Sequence, residues 1–116
     1  MNIAGFGSQM RRGALEFCVL ALLAQREHYG FELVQRLSQA DGLLTSEGTI
    51  YPLLSRLRRD GLVDTEWRES MTGPPRKYYR LTPSGSEALD IYRRQWALFR
   101  DAVDSILESG QEVTGG

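Results

Sequence analysis

Covalent chemistry has little to work with in this chain. It carries one histidine, His28, and one cysteine, Cys18. Catalysis commonly needs a base and a nucleophile within reach of each other, or a metal cluster. Cys18 stands amid apolar neighbours, no Cys/His spacing suits zinc, and the carboxylates are scattered along the chain. No glycine-rich loop follows a strand before a helix, so neither metal nor cofactor is expected and a catalytic role is set aside. What the chain does group together are cationic and hydroxyl-bearing side chains. Ser46, Gly48, Thr49, Tyr51 and Ser55 open a segment that Arg56 and Arg59 close. Arg76 and Lys77 follow Thr72, and Arg11 and Arg12 stand as a pair near the start. Guanidinium and ammonium groups neutralise phosphates, while hydroxyls and phenols reach base edges. This is the chemistry of a nucleic-acid surface.

The overall charge does not by itself argue for such a partner. Formal net charge is −1, but its distribution is uneven. Up to Arg80 there are 11 Lys/Arg against 9 Asp/Glu, and from Leu81 onward 3 against 6. A mildly basic part precedes an acidic tail, which permits a local phosphate-binding face without strong long-range steering. A chain of 116 residues suits one domain with a modest core. The longest apolar run, Phe17–Ala24, is less than half of the ~20 residues a membrane span needs. Met1–Ser8 shows no charged region followed by a cleavage site, and a single cysteine makes no internal disulfide. A reducing cytoplasm is the expected setting.

The elements that must position these residues follow from periodicity. Met10–Gln25 is apolar nearly all round, which places a first helix at the centre of a domain or in an oligomer interface. His28-Tyr29-Gly30 breaks it. A second, short helix carries Phe31, Val34 and Leu37 on one stripe, and Asp41-Gly42 turns the chain. In the third helix Ile50, Leu53, Leu54 and Leu57 form the inward stripe, with Ser46 as N-cap and Asp60-Gly61 as stop. Pro52 inside this helix predicts a kink or a tightened first turn. Leu62–Glu69 alternates as a half-buried strand, with Val63, Thr65 and Trp67 on one face. Arg76–Leu81 pairs with it, and Ser70–Pro75 forms a long tip. Thr82-Pro83 starts a last helix to about Ser109, with Thr82 as N-cap and Pro83 at the first helical position. Its residues Leu89, Tyr92, Trp96, Phe99, Val103 and Ile106 are spaced 3, 4, 3, 4, 3, a heptad seam. With Ala88, Ile91, Leu98, Ala102 and Leu107 beside that seam, the helix has more apolar surface than three short helices and a hairpin can cover. The surplus predicts a partner subunit.

The predicted fold class is mainly α with a small β part (α+β): a winged helix-turn-helix with a two-stranded wing and a long C-terminal dimerisation helix. Residues 10–82 make the winged-helix region, 83–109 the dimerisation helix, and 1–9 and 110–116 flexible tails. In such a fold the helix after the turn enters the major groove and the hairpin lies against the backbone or minor groove. Thr49, Tyr51 and Ser55 are then the candidates for base edges, and Gly48 permits close backbone approach. Arg56, Arg59, Thr72, Arg76, Lys77, Arg11 and Arg12 are assigned to phosphates. A winged helix used only for protein contact is the rival reading, and it would lack salt-dependent binding to double-stranded DNA.

Three strings carry a family resemblance. Tyr29-Gly30-Phe31-Glu32-Leu33, then Gly48-Thr49-Ile50-Tyr51-Pro52-Leu53-Leu54-Ser55-Arg56-Leu57 with Asp60-Gly61-Leu62, and finally Arg76-Lys77-Tyr78-Tyr79-Arg80-Leu81-Thr82-Pro83-Ser84-Gly85 resemble the signature of PadR-type transcriptional regulators, in their compact branch with one C-terminal helix. The Gly73-Pro74-Pro75 tip differs from the Gly/Arg-rich tip of that pattern. The resemblance implies a bacterial repressor, a homodimer joined through the last helix, on a pseudo-palindromic operator. It also raises Tyr51, Arg76 and Lys77 among the DNA candidates. Some compact members respond to flat hydrophobic compounds held between subunits by a tryptophan of the last helix. Trp96, with Phe99, Tyr92 and Val19 near it, then has two readings. It is either a platform for an aromatic effector or plain interface core.

Overall fold

Ala14–Gln25 (α1) is apolar on nearly every side because it is packed on nearly every side. Leu15, Val19, Leu20 and Leu23 are buried, and Phe17, Cys18, Ala21 and Leu22 pack partly against the same core. A computed structural model describes residues 13–40, 43 and 45–115. After α1 come β1 (His28–Tyr29), α2 (Gly30–Gln39), α3 (Glu47–Arg59), β2 (Val63–Ser70), β3 (Gly73–Leu81) and α4 (Pro83–Gly115). One hydrophobic core joins α1 to Leu33, Val34 and Leu37 of α2, to Ile50, Leu53, Leu54 and Leu57 of α3, to Val63 and Tyr79 of the sheet, and to Leu89 of α4. The winged helix-turn-helix is the architecture observed, and the inward stripe of α3 is buried as its periodicity predicts. The predicted turn at Asp41-Gly42 and the N-terminal segment through Arg12 lie outside the described residues.

Local chemistry explains how α3 begins and ends. Ser46 occupies the N-cap position, but its side chain makes no capping bond. Its carbonyl instead accepts from both Thr49 N and Ile50 N, each at 3.0 Å. The shorter of these loops is a tightened first turn, the outcome Pro52 predicts, since a proline withholds the donor that the Gly48 carbonyl would otherwise receive. At the far end Gly61 takes φ +78°. Leu62 N donates to Leu57 O and Gly61 N to Arg58 O, each at 3.0 Å, a Schellman cap that closes the helix.

Several predicted placements are corrected. Phe31 is 47% exposed, because it lies in the first turn of α2, beyond the edge of the core, and Leu33 fills the inward place. The sheet has three strands in the order β1-β3-β2, not two. His28 and Tyr29 pair with Tyr79 and Tyr78, so the break between α1 and α2 is a short strand. The long hairpin tip is replaced by a tight one at Met71-Thr72. Gly73, Pro74 and Pro75 belong to β3. Ser70 pairs with Gly73 and Arg68 with Arg76, so Pro74 and Pro75 together face Glu69 alone. A bulge tolerates prolines because the ladder there needs no donor from them.

His28 is almost wholly buried. Its Nδ1 lies 2.9 Å from the Arg26 carbonyl oxygen, which only accepts, so Nδ1 carries the proton. Burial lowers the His28 pKa from its usual range, more than the Arg26 hydrogen bond raises it. The neutral ring therefore favours folding above the unfolded value of about 6.5. Below that pH the unfolded chain takes up the proton first, and stability falls until the folded pKa is passed. We expect the melting temperature to drop between neutral pH and pH ~5.5, and a His28→Asn variant to lose part of that pH slope. An unchanged slope in His28→Asn would assign the effect to other groups.

Candidate nucleic-acid interface

The first turns of α3 and the wing face each other across a cleft of about 720 Å³ lined by Tyr51, Ser55, Trp67, Arg76 and Lys77, with Tyr29, Gly30, Phe31 and Tyr79 at its back and sides. Among the described residues, two cations and three tyrosine hydroxyls line this cleft, and no carboxylate does. Its electrostatics suit a polyanion.

Tyr51 is the residue that the fold places most carefully. Its ring lies across Gly30, where an added Cβ would come within 2.9 Å of Cε1. Gly30 thus admits the phenol, a pairing that the separate strings Tyr29-Gly30 and Gly48–Pro52 do not reveal. Burial, and then the nearby Glu47 carboxylate, raise the Tyr51 pKa, so at neutral pH the phenol keeps its proton and can donate. Ser46, Gly48 and Thr49 are exposed at the N-terminal end of α3, and Ser55 is exposed one turn beyond Tyr51. A Cβ on Gly48 would meet only Ser46 Oγ, at 3.8 Å, so nothing within the chain demands glycine there.

The cations divide. The Arg56 guanidinium is held by Glu16 of α1 at 3.1 Å, so the structure does not bring Arg56 to the cleft. Arg59 is exposed and makes no ion pair among the described residues. Arg76 lies 4.4 Å over the Tyr29 ring, and Lys77 Nζ is 6.0 Å from Trp67 and 5.8 Å from Tyr79. These contacts orient both cations without neutralising them. Arg68 hydrogen-bonds Glu27 and Glu66 and stacks 4.5 Å over Tyr78. Because Glu27 precedes β1, this network ties the wing to the body. Thr72 is exposed at the hairpin tip. Arg11 and Arg12 lie outside the described residues.

The model of the PadR-like family of transcriptional regulators matches residues 19–91, which spans α1 through the wing to the start of α4. The chain belongs to this family. A transcriptional regulator of Mycobacterium tuberculosis is 37% identical over 108 residues, covering 93% of this chain and 90% of its relative. A PadR-like transcription factor of Bacteroides fragilis is 43% identical with TM-score 0.72, covering 88% of this chain and 98% of the other. A PadR family regulator of Eggerthella lenta superposes with TM-score 0.78 at 36% identity, covering 91% and 92%. The relatives are regulators rather than enzymes, and the winged helix of this PadR-like protein is a DNA-binding fold.

The long helix of the PadR-like chain carries a second aromatic site. Tyr92 stacks on Phe17 with centroids 3.7 Å apart, then on Trp96 at 6.1 Å, and Trp96 leans on Phe99 at 6.2 Å. With Ala14, Arg100 and Val103 these rings line an open cleft of about 740 Å³. One predicted seam residue and one predicted effector contact are corrected. Leu89 is 4% exposed and belongs to the chain's own core, because the first turns of α4 still lie against the body. Val19 is fully buried, so it cannot touch a ligand in this cleft. Trp96, Phe99, Val103 and Ile106 remain exposed. Burial raises the Cys18 pKa, leaving a protonated thiol that is a poor nucleophile. No helix among the described residues is long and apolar enough to cross a membrane.

Proposed function

We propose that this protein is a homodimeric repressor that binds a pseudo-palindromic operator, with the two winged helices held side by side by α4. The observation that carries the reading is the cleft between α3 and the wing, where Tyr51 and Ser55 face Arg76 and Lys77 with no acidic group among the described lining residues. Ser46, Gly48, Thr49, Tyr51 and Ser55 approach base edges in the major groove. Arg59, Thr72, Arg76 and Lys77 take the flanking phosphates. Activity on chromosomal DNA places the protein in the cytoplasm.

Selection of bound sequences from a random DNA pool tests the reading. The expected product is a pair of inverted half-sites about one helical turn apart, or a multiple of that, with affinity that declines as salt rises. No enriched sequence together with salt-independent behaviour would favour the protein-contact module instead. Within the site, Tyr51→Ala should cost ~1–3 kcal/mol on the selected operator and little on random DNA. Arg76→Ala should weaken both alike. A loss in Arg76→Ala confined to the operator would show that this arginine reads bases.

The aromatic cleft on α4 favours an additional reading. Its size falls in the usual range for small ligands, and Tyr92, Trp96 and Phe99 offer ring faces to a planar hydrophobic effector that releases the operator. Quenching of Trp96 by such compounds in a Trp67→Phe variant supports the effector. Absence of quenching leaves Trp96 as interface core.

A further inference from the structure

Trp67 is a large apolar side chain left in the open on the wing. It is 66% exposed, although a tryptophan typically gains by burying ~150–250 Å². Sheet register shows how it comes to be there. Val63 pairs with Leu81, Thr65 with Tyr79, and Trp67 with Lys77. Directly opposed residues share a face, and the first two pairs supply the buried Val63 and Tyr79. Trp67 and Lys77 therefore continue the core-facing side of the hairpin beyond the point where the body ends. Along that continuation they line the cleft together with Tyr51 and Ser55. The Lys77 ammonium sits 6.0 Å from the indole, so an anion drawn to Lys77 arrives beside the ring.

We propose that Trp67 is a non-ionic DNA contact of the wing. When Lys77 neutralises a backbone phosphate, the indole packs against the adjoining deoxyribose and buries its apolar faces there. The inference rests on the DNA-binding reading above and adds a specific consequence to it. Lys77 contributes affinity through counterion release, which salt suppresses. Trp67 contributes through apolar burial, which moderate salt leaves unchanged.

The test is fluorescence anisotropy of a labelled duplex from the promoter of the protein's own gene, titrated with the full chain over a range of salt concentrations. Trp67→Ala should weaken binding about ten-fold at every salt concentration, with the slope of log affinity against log salt unchanged. Trp67→Phe should restore most of the loss. Lys77→Ala should reduce that slope by about two, one phosphate contact for each subunit of the dimer. A second readout does not depend on how Trp67→Ala folds. In Trp96→Phe, Trp67 is the remaining tryptophan, and DNA should quench its emission. The inference is overturned if Trp67→Ala binds like the parent, if its slope falls as in Lys77→Ala, or if emission in Trp96→Phe ignores DNA. Parent protein that binds DNA normally while Trp67→Ala is silent removes this inference alone. Parent protein without salt-dependent binding removes the functional reading as well.

Discussion

Replacing Trp96 with aspartate is expected to leave a monomer at micromolar concentration and to weaken operator binding about a hundred-fold or more, the scale on which two linked contacts outperform one. The α4 helix, ~50 Å long at 1.5 Å per residue, outruns the body that supports its start. Beyond Leu89 and the Tyr92–Phe17 stack, Trp96 is 42% exposed, Phe99 64% and Ile106 72%. These residues keep heptad spacing, and two such helices can bury the stripe in each other. Trp96 opens the exposed part of the stripe, and in the proposed dimer it packs against the partner's helix. A carboxylate on each subunit would be desolvated in the seam, so separation costs less than burial. Because the site is open to solvent in one chain, the variant should retain its helical circular dichroism. Light scattering that still reports a dimer would show that another surface joins the subunits.

Gly85→Ala should have the largest effect on stability, and with the opposite sign from the one helix propensity suggests. Alanine in place of glycine inside a helix ordinarily helps by ~1 kcal/mol. Here a Cβ would collide with the carbonyl oxygen of Leu62 and approach Leu81 Cδ1 to 2.7 Å. The Leu62 backbone has no freedom to retreat. Its N–H is committed to Leu57 O at 3.0 Å, and its carbonyl accepts Thr82 N at 3.2 Å. Thr82 closes the joint from the other side, donating Oγ1–H to Gly61 O at 2.7 Å and accepting Gly85 N at 3.0 Å. We expect a loss of about 3 kcal/mol, seen as a melting temperature lower by about 10 °C. Since this joint connects the end of α3 to the start of α4, operator binding should fall with it. A variant as stable as the parent would mean that the joint yields easily.

Much of this architecture is legible in short windows of the chain. The stripe Ile50, Leu53, Leu54, Leu57 is buried as its spacing predicts, Pro52 announces a tight first turn, and Asp60-Gly61 and Thr82-Pro83 mark the helix ends they cap. Each of these is a decision between neighbours a few residues apart, and local backbone chemistry settles it. The bulge at Pro74-Pro75 was not legible in this way. Proline reads as loop unless a partner strand offers a place where no donor is required. Nor was β1, since two residues are too few to show alternation. The cleft was legible in part. Tyr51, Ser55, Arg76 and Lys77 are brought together as expected, but Arg56 is drawn to Glu16, and Trp67 and Phe31, read as half-buried or core, stand on the cleft instead.

The sequence alone thus determined which faces of each helix shun water, where the helices start and stop, and the family signature those elements carry. Tertiary structure alone decided what covers each face. It put Leu89 and Val19 in the chain's own core, laid Tyr51 across Gly30, and locked Gly85 beneath the Leu62 carbonyl. The physical reason is that periodicity records an apolar face without recording its partner, while contacts between distant segments depend on how the whole chain closes around one core.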